Sequence, residues 1–326
     1  MSTINWGIIG CGNVTEKKSG QAYNKIADSK LVAVMRRDAA KAADYAERHH
    51  VDRWYDDAEK LMNDPEVNSV SIATPPASHL DYALRAIKKG LNIYVEKPVT
   101  RNSHEAQVMA EAVRESGAKL TVAHYRRALP MFLHVKSLID NKAIGDIRTV
   151  QIRMWQYQRP TLAADAPPNW RLQPELSGGG YFHDLAPHQL DLMLYYFGEP
   201  DKYSGYSLNQ GGFSPADDHV CGQIIFKNKV VVNGSWCFNV AESEAIDTCE
   251  IIGTTGKITF PFFGTYVTCK HQQGEETIQF THPEHIQQPM ITKIVAYFKG
   301  EAPNPCSIDE AVTLMKIFDA FTIKNI

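Results

Sequence analysis

A buried strand that runs straight into two glycines one residue apart leaves a chain few ways to continue. Residues 5–10, Asn-Trp-Gly-Ile-Ile-Gly, read as a short apolar strand, and Gly10-Cys11-Gly12-Asn13-Val14-Thr15 follows at once. Glycine at positions 10 and 12 lets the chain turn sharply and bring backbone N–H groups against an anion. A helix beginning there offers its amino-terminal N–H groups to the same anion. The spacing is G-x-G-x-x-T rather than G-x-G-x-x-G, so Thr15 sets helix and strand slightly farther apart. Gly10, Gly12, Asn13 and Val14 are therefore candidate dinucleotide contacts, and Cys11 reads as a small loop residue rather than a reactive thiol.

The next stretches repeat the alternation. Residues 31–35 form a second apolar strand, and Asp38 caps an alanine-rich helix. Where a site selective for NAD places an acidic residue against the ribose, this chain has Arg36 and Arg37. Two guanidinium groups suit a 2′-phosphate, which points to NADP as cofactor with NAD as the second choice. A third strand, 67–73, ends in Thr74-Pro75-Pro76-Ala77-Ser78-His79. Prolines stop the strand at the end where open parallel sheets bind ligands, so Thr74 and Pro75 join the candidates. His79 is either a ligand contact or simply the residue that opens the next helix. A fourth strand, 91–95, delivers Glu96-Lys97-Pro98 and makes Lys97 a catalytic candidate. Helix 103–116 and strand 119–123 complete a doubly wound α/β unit.

The second half centres on Gly178-Gly179-Gly180 and the helical pattern behind it. Asp184, His188 and Asp191 fall at i, i+4 and i+7, hence on one helical face. A carboxylate one turn from an imidazole can fix its tautomer and raise its basicity, which is what a general base requires. A solvated face after a glycine turn has the same pattern. The loop 158–177 carries Trp170-Arg171, either a cover and an oxygen-binding cation or a loop pinned by its tryptophan. Strands 220–227 with 229–238, 248–253 with 257–260, and 266–271 with 277–280 read as hairpins. A broad antiparallel sheet leaves one face without helices, which predicts a homodimer or homotetramer through that face. Helix 307–321 closes the chain, with Ser307 and Glu310 as its capping pair.

Composition removes other classes. The 326 residues carry a net charge of −3 without a basic block, against nucleic acid as a partner. The six cysteines form no C-x-x-C pair and read as free thiols of a reducing, cytoplasmic setting. The first residues lack a signal-peptide pattern, and no run approaches the ~20 apolar residues of a membrane span. His271, His282 and His285 lack metal-ligand spacing, and His183 and His188 point to different helical faces, so no metal site is expected.

Gly10-Cys11-Gly12, Ala73-Thr74-Pro75-Pro76 with His79, Glu96-Lys97-Pro98, and the glycine triplet with Asp184 and His188 together resemble the Gfo/Idh/MocA family (glucose–fructose oxidoreductase, inositol dehydrogenase, rhizopine catabolism), nearly end to end. The resemblance implies an NAD(P)-dependent oxidoreductase acting on CH–OH groups. It implies a Rossmann domain, 1–123, and a second α/β domain, 124–326, with a large, mainly antiparallel sheet, the closing helix packing back toward the first. Residue by residue, Lys97 is similar to the family's catalytic lysine, His188 to its acid/base, and Asp184 to the carboxylate one turn earlier. Asp191 stands where polyol-oxidising members often have an acid near substrate. Tyr125 and Trp170 fall on the substrate side. Thr74, Pro75, His79, Glu96 and Arg171 fall on the cofactor side. Where some relatives have tyrosine this chain has His188, which fits sugars or polyols. His124 replaces a frequent asparagine. Two other outcomes exist among relatives: glycoside cleavage with retained NAD, and dinucleotide sensing without catalysis.

Overall fold

The computed structural model describes residues 3–158 and 169–322, so 159–168 of the expected loop lie outside it. The chain forms two compact units, Met1–Tyr125 with Pro283–Val312, and Arg126–His282 with Thr313–Ile326.

The first unit holds β1 (Ile4–Ile9), β2 (Ser29–Met35), β3 (Arg53–Tyr55), β4 (Ser69–Ile72), β5 (Asn92–Val95) and β6 (Leu120–Val122). All pair parallel, in the order β3-β2-β1-β4-β5-β6. Both faces of such a sheet are covered, which is why Val32, Val34, Val70 and Ile93 are all fully buried and the strands read as unbroken apolar runs. Helices α1 (Ala39–Arg48), α2 (Ala58–Met62), α3 (His79–Lys88) and α4 (Ser103–Ser116) alternate with the strands. Asp38, Asp57 and Asn102 cap α1, α2 and α4 by accepting backbone N–H bonds. After the glycine turn the chain does not form the regular helix expected. A wide π turn, Thr15–Ser19, runs into a 3-10 segment, Gly20–Lys25. Thr15 is occupied locally, its hydroxyl donating back to the Gly12 carbonyl at 2.9 Å.

The second unit opens with α5 (Pro130–Asp140) and β7 (Ile147–Trp155), then α6 (Pro174–Ser177) and α7 (Gly180–Phe197). Seven strands follow: β8 (Pro200–Leu208), β9 (His219–Phe226), β10 (Val231–Cys237), β11 (Ile246–Gly253), β12 (Gly256–Phe260), β13 (Tyr266–His271) and β14 (Gly274–Gln279). Their eight-stranded sheet with β7 has the order β14-β13-β12-β11-β7-β10-β9-β8. Only the β7–β10 pairing is parallel. Along β7, Val150, Ile152 and Met154 are buried, whereas Gln151, Arg153 and Trp155 on the other face are half-exposed.

The sequence assigns everything after residue 123 to the second domain. The structure instead returns residues 283–312 to the first unit. There α8 (Gln288–Lys299) places Phe298 5.6 Å from the buried Trp6 ring. The Cys306 carbonyl accepts the Val122 N–H at 3.1 Å and the Thr121 hydroxyl at 3.0 Å. Helix α9 (Ile308–Thr322) starts in the first unit's residues and ends in the second's. Among the described residues no helix is long and apolar enough to cross a membrane.

Candidate active site

In the first unit the loops leave the carboxyl ends of neighbouring parallel strands, and the backbone ladder continues past those ends. Gly10 N–H donates to Met35 O, Ala73 N–H to Ile9 O, and Glu96 N–H to Ile72 O, each at 2.9 Å. Thus the glycine turn, the Thr74-Pro75 loop and the Glu96-Lys97-Pro98 loop are fixed side by side. Gly10 has φ +95°, and a Cβ on it would lie 2.7 Å from Thr74 Cγ2. Gly12 differs, because a Cβ there would meet nothing closer than 3.9 Å. Gly10 is demanded by packing, while Gly12 leaves a hollow of the kind a pyrophosphate fills, so these residues fit a dinucleotide.

Arg36 sits beside the same turn, half-buried, its Nη1 donating to the Cys11 carbonyl at 3.4 Å, and Arg37 is exposed. Cys11 is fully buried, and burial pushes its thiol up to about 11, which makes it unreactive. Ser78 Oγ bonds Thr74 Oγ1 at 2.8 Å and the Pro75 carbonyl at 3.0 Å, which shapes the loop that carries both candidates.

Two residues expected among the cofactor contacts, His79 and Glu96, are buried and bonded within the loops. His79 is fully buried. Its Nε2 faces Thr74 O at 2.7 Å, and its Nδ1 faces Pro98 O and Val99 O at 3.1 and 3.2 Å. Burial lowers its pKa, and the ring staples the Thr74 loop to the loop after Lys97. Glu96 is buried as well, with burial raising its pKa; Oε1 accepts from Gln287 Nε2 at 2.7 Å and Oε2 from the Lys97 N–H at 3.2 Å. Lys97 itself is half-buried. Tyr125, expected beside substrate, is only 2 % exposed.

In the second unit the glycine triplet is the start of α7. Ser177 Oγ accepts the N–H groups of Gly179 and Gly180, both at 3.2 Å. A Cβ on Gly179 would lie 2.5 Å from the His183 ring, so only glycine lets that imidazole fold back. His183 Nδ1 faces the Gly179 carbonyl at 3.1 Å, and burial lowers its pKa to about 4. It is a core residue, packed against Phe318 at 5.2 Å.

His188 is 3 % exposed and meets the Phe263 ring edge-on at 5.8 Å. The carboxylates on either side of it along α7 are each taken by an arginine from outside the helix. Asp184 Oδ2 accepts from Arg171 Nε at 2.8 Å, and the Arg171 guanidinium lies 4.5 Å from the Trp170 ring. Asp191 accepts from Arg127 through both oxygens, Nε at 2.9 Å and Nη2 at 2.7 Å. A two-point guanidinium–carboxylate pair holds orientation as well as charge. Phe263 is fixed in turn. Its N–H and that of Phe262 donate to Asp247 at 2.7 and 3.1 Å, and the Arg126 guanidinium stacks 4.3 Å from its ring. Arg126, Arg127, Asp247, Phe263 and Gln287 are absent from the sequence candidates. The tandem Arg126-Arg127 at the domain boundary is the one cue in the sequence that could have found any of them.

In the first unit an open glycine turn at the ends of a parallel sheet is the setting of a dinucleotide-binding oxidoreductase domain; in the second an imidazole stands between arginine-held carboxylates. The chain belongs to the Gfo/Idh/MocA family: residues 4–124 match the oxidoreductase family domain with NAD-binding Rossmann fold, and residues 132–259 match the Gfo/Idh/MocA C-terminal domain. It is 48% identical over 320 residues to oxidoreductase P35 of Formosa agariphila, covering 98% of each chain. It is 30% identical over 244 residues to a levoglucosan dehydrogenase of Pseudarthrobacter phenanthrenivorans, covering 68% of this chain and 62% of that one. The fold is also that of a solved levoglucosan dehydrogenase in complex with NADH and levoglucosan: TM-score 0.86, 23% identity, 98% of this chain and 96% of that one.

Proposed function

We propose that this protein transfers a hydride between NADP(H) and a hydroxyl-bearing or carbonyl carbon of a sugar, polyol or related carbohydrate. The observation that carries the reading is His188, an imidazole shielded from bulk water on the helix face between two arginine-held carboxylates. The cofactor, when bound, accepts the hydride in oxidation and supplies it in reduction. Gly10, Gly12, Asn13 and Val14 hold its pyrophosphate, with Thr74 and Pro75 alongside. In oxidation His188 takes the hydroxyl proton as the hydride leaves the same carbon; in reduction it returns that proton to the alkoxide oxygen. Lys97 stabilises the negative charge on that oxygen. Asp184 orients His188, and Asp191 with Arg127 fixes the next turn of α7. Trp170 borders the substrate, and Arg171 reaches a cofactor phosphate or a substrate oxygen.

Arg36 and Arg37 support the NADP choice, since they stand where β2 ends and the first acid after them, Asp38, is taken up in capping α1. The name of the levoglucosan-oxidising relative supports a carbohydrate, including anhydro-sugars, as substrate class. The same reading includes self-association through the half-exposed sheet face bearing Gln151, Arg153 and Trp155, checked by sedimentation equilibrium.

The test is a parallel titration with NADPH and NADH, followed by tryptophan fluorescence, on wild type and His188→Ala. Tighter NADPH binding and retained cofactor affinity in His188→Ala are expected, with turnover down about 10²–10⁴-fold. Preference for NADH overturns the NADP choice. Wild-type turnover in His188→Ala sinks the acid/base assignment. Binding of neither cofactor, in protein free of copurified nucleotide, sinks the enzyme reading as a whole.

A further inference from the structure

We infer that Gln287 is a positioning residue for Lys97, acting through the Glu96 carboxylate; this rests on the role proposed for Lys97 above. Gln287 is 1 % exposed and stands immediately before α8, in the segment that returns to the first unit. It ties together three pieces of that unit. Its backbone N–H donates to the Lys18 carbonyl at 3.3 Å, in the segment after the glycine turn. Its Oε1 accepts the Tyr94 hydroxyl of β5 at 2.8 Å. Its Nε2 donates to Glu96 Oε1 at 2.7 Å. In this orientation the amide oxygen takes the Tyr94 hydroxyl and the NH₂ group faces a Glu96 oxygen that accepts.

Glu96 is the link. Its second oxygen grips the backbone N–H of Lys97 itself, at 3.2 Å. The charged or ionisable groups that act on or respond to this carboxylate are Lys97, Lys18, Tyr94 and Tyr23. A buried carboxylate that loses a donor must rotate, take up a proton or admit water. Each of these changes the grip on the Lys97 backbone, and with it the place of the ammonium group. Gln287 is 191 residues from Glu96, so the last third of the chain sets the geometry of a loop that looks self-contained.

The experiment uses the full chain with Gln287→Met, which keeps the volume and removes both side-chain bonds, and Gln287→Glu, which keeps the acceptor for Tyr94 and turns an oxygen toward Glu96. Tyr94→Phe is the milder third variant, removing only the hydroxyl that fixes the amide. Lys97 acetylation by acetic anhydride is measured by peptide mass spectrometry against the exposed Lys142, alongside kcat, cofactor KM and Tm. We expect Lys97 labelling to change by about threefold or more and kcat to fall roughly ten- to a hundredfold, with cofactor KM within about twofold. Tyr94→Phe moves the same readouts in the same direction, less far. Unchanged Lys97 labelling and kcat in folded Gln287→Met overturn the proposal, whatever happens to Tm. If both Gln287 variants fail to fold, unchanged labelling in Tyr94→Phe overturns it. Labelling does not depend on catalysis, so a Lys97→Met variant with wild-type turnover would sink the role of Lys97 without touching the structural link.

Discussion

The loop that carries Lys97 and the helix that carries His188 are held in different ways. Around Lys97 the work is done by backbone ladder bonds that run past the strand ends, by the His79 staple, and by a neutral amide on a buried carboxylate. Around His188 it is done by guanidinium–carboxylate pairs reaching α7 from outside. The difference follows from the elements. A loop hung from a parallel sheet inherits its position from neighbouring strands, so few side-chain contacts are needed. A side chain on a helix face has its own helix for a backbone frame, and orientation across that face must come from other side chains. The second unit therefore stakes its geometry on buried charge, where removal of one partner is severe.

The largest effect should come from breaking the more buried of those pairs. The Arg127 and Asp191 side chains are 5 % and 3 % exposed. Arg127→Met leaves the Asp191 carboxylate buried without its two guanidinium bonds, and should lower stability by about 3–5 kcal/mol in urea denaturation. The double variant Arg127→Met with Asp191→Leu should recover most of that loss, since the penalty lies in the stranded charge. A loss below about 1 kcal/mol in the single variant would place this pair with ordinary surface ion pairs and remove the contrast between the two units.

A smaller effect is expected at the other carboxylate. The Arg171 and Asp184 side chains are 9 % and 12 % exposed, and the guanidinium also rests on Trp170. Arg171→Met should cost about 1.5–3 kcal/mol, the range for a hydrogen bond to a charged group. It should also reduce kcat more than cofactor KM, because Asp184 loses the contact that fixes it beside His188. Equal loss in both would assign Arg171 to cofactor binding instead.

The same contrast explains what could be read from the sequence. The glycine turn, the strand ends at Thr74 and Lys97, and the shared face of Asp184, His188 and Asp191 are local patterns of period and spacing, so they were legible. Most hairpins of the second sheet were legible for the same reason. The short strand β3 and the half-exposed edge strand β8 carry little apolar pattern and went unread; helix α8 went unread although Met290, Ile291, Ile294, Val295 and Phe298 recur on one buried face. Partners were the real gap. Arg127 meets Asp191 across 64 residues, and Gln287 meets Glu96 across 191. No spacing rule reaches that far. The burial of Glu96 and His79 was hidden as well, because a motif says which loop a residue belongs to and not which way its side chain points.

The smallest effect is a slope rather than a loss, and it tests the one feature the two units share. Each has a carboxylate drawn away from water without an arginine bonded to it in the contacts above: the buried Glu96 in the first, the half-buried Asp247 in the second. Burial raises both pKa values, Glu96 from 4.5 and Asp247 from 3.8. The folded state then keeps a proton that the unfolded chain has released. Their contribution is fully present below the ordinary carboxylate range and is lost as pH rises through the folded pKa. Urea denaturation from pH 4 upward should show that fall, shallower in Glu96→Gln and in Asp247→Asn. Absolute stability is the wrong readout, since an amide at position 96 turns a donor toward Gln287 Nε2 or the Lys97 N–H; the slope removes that offset. Flattening in Asp247→Asn alone would mean that Lys97 and Lys18 hold Glu96 ionised in the folded state. The lysine loop would then rest on buried charge as the histidine helix does, and the two halves would differ only in where the cation comes from.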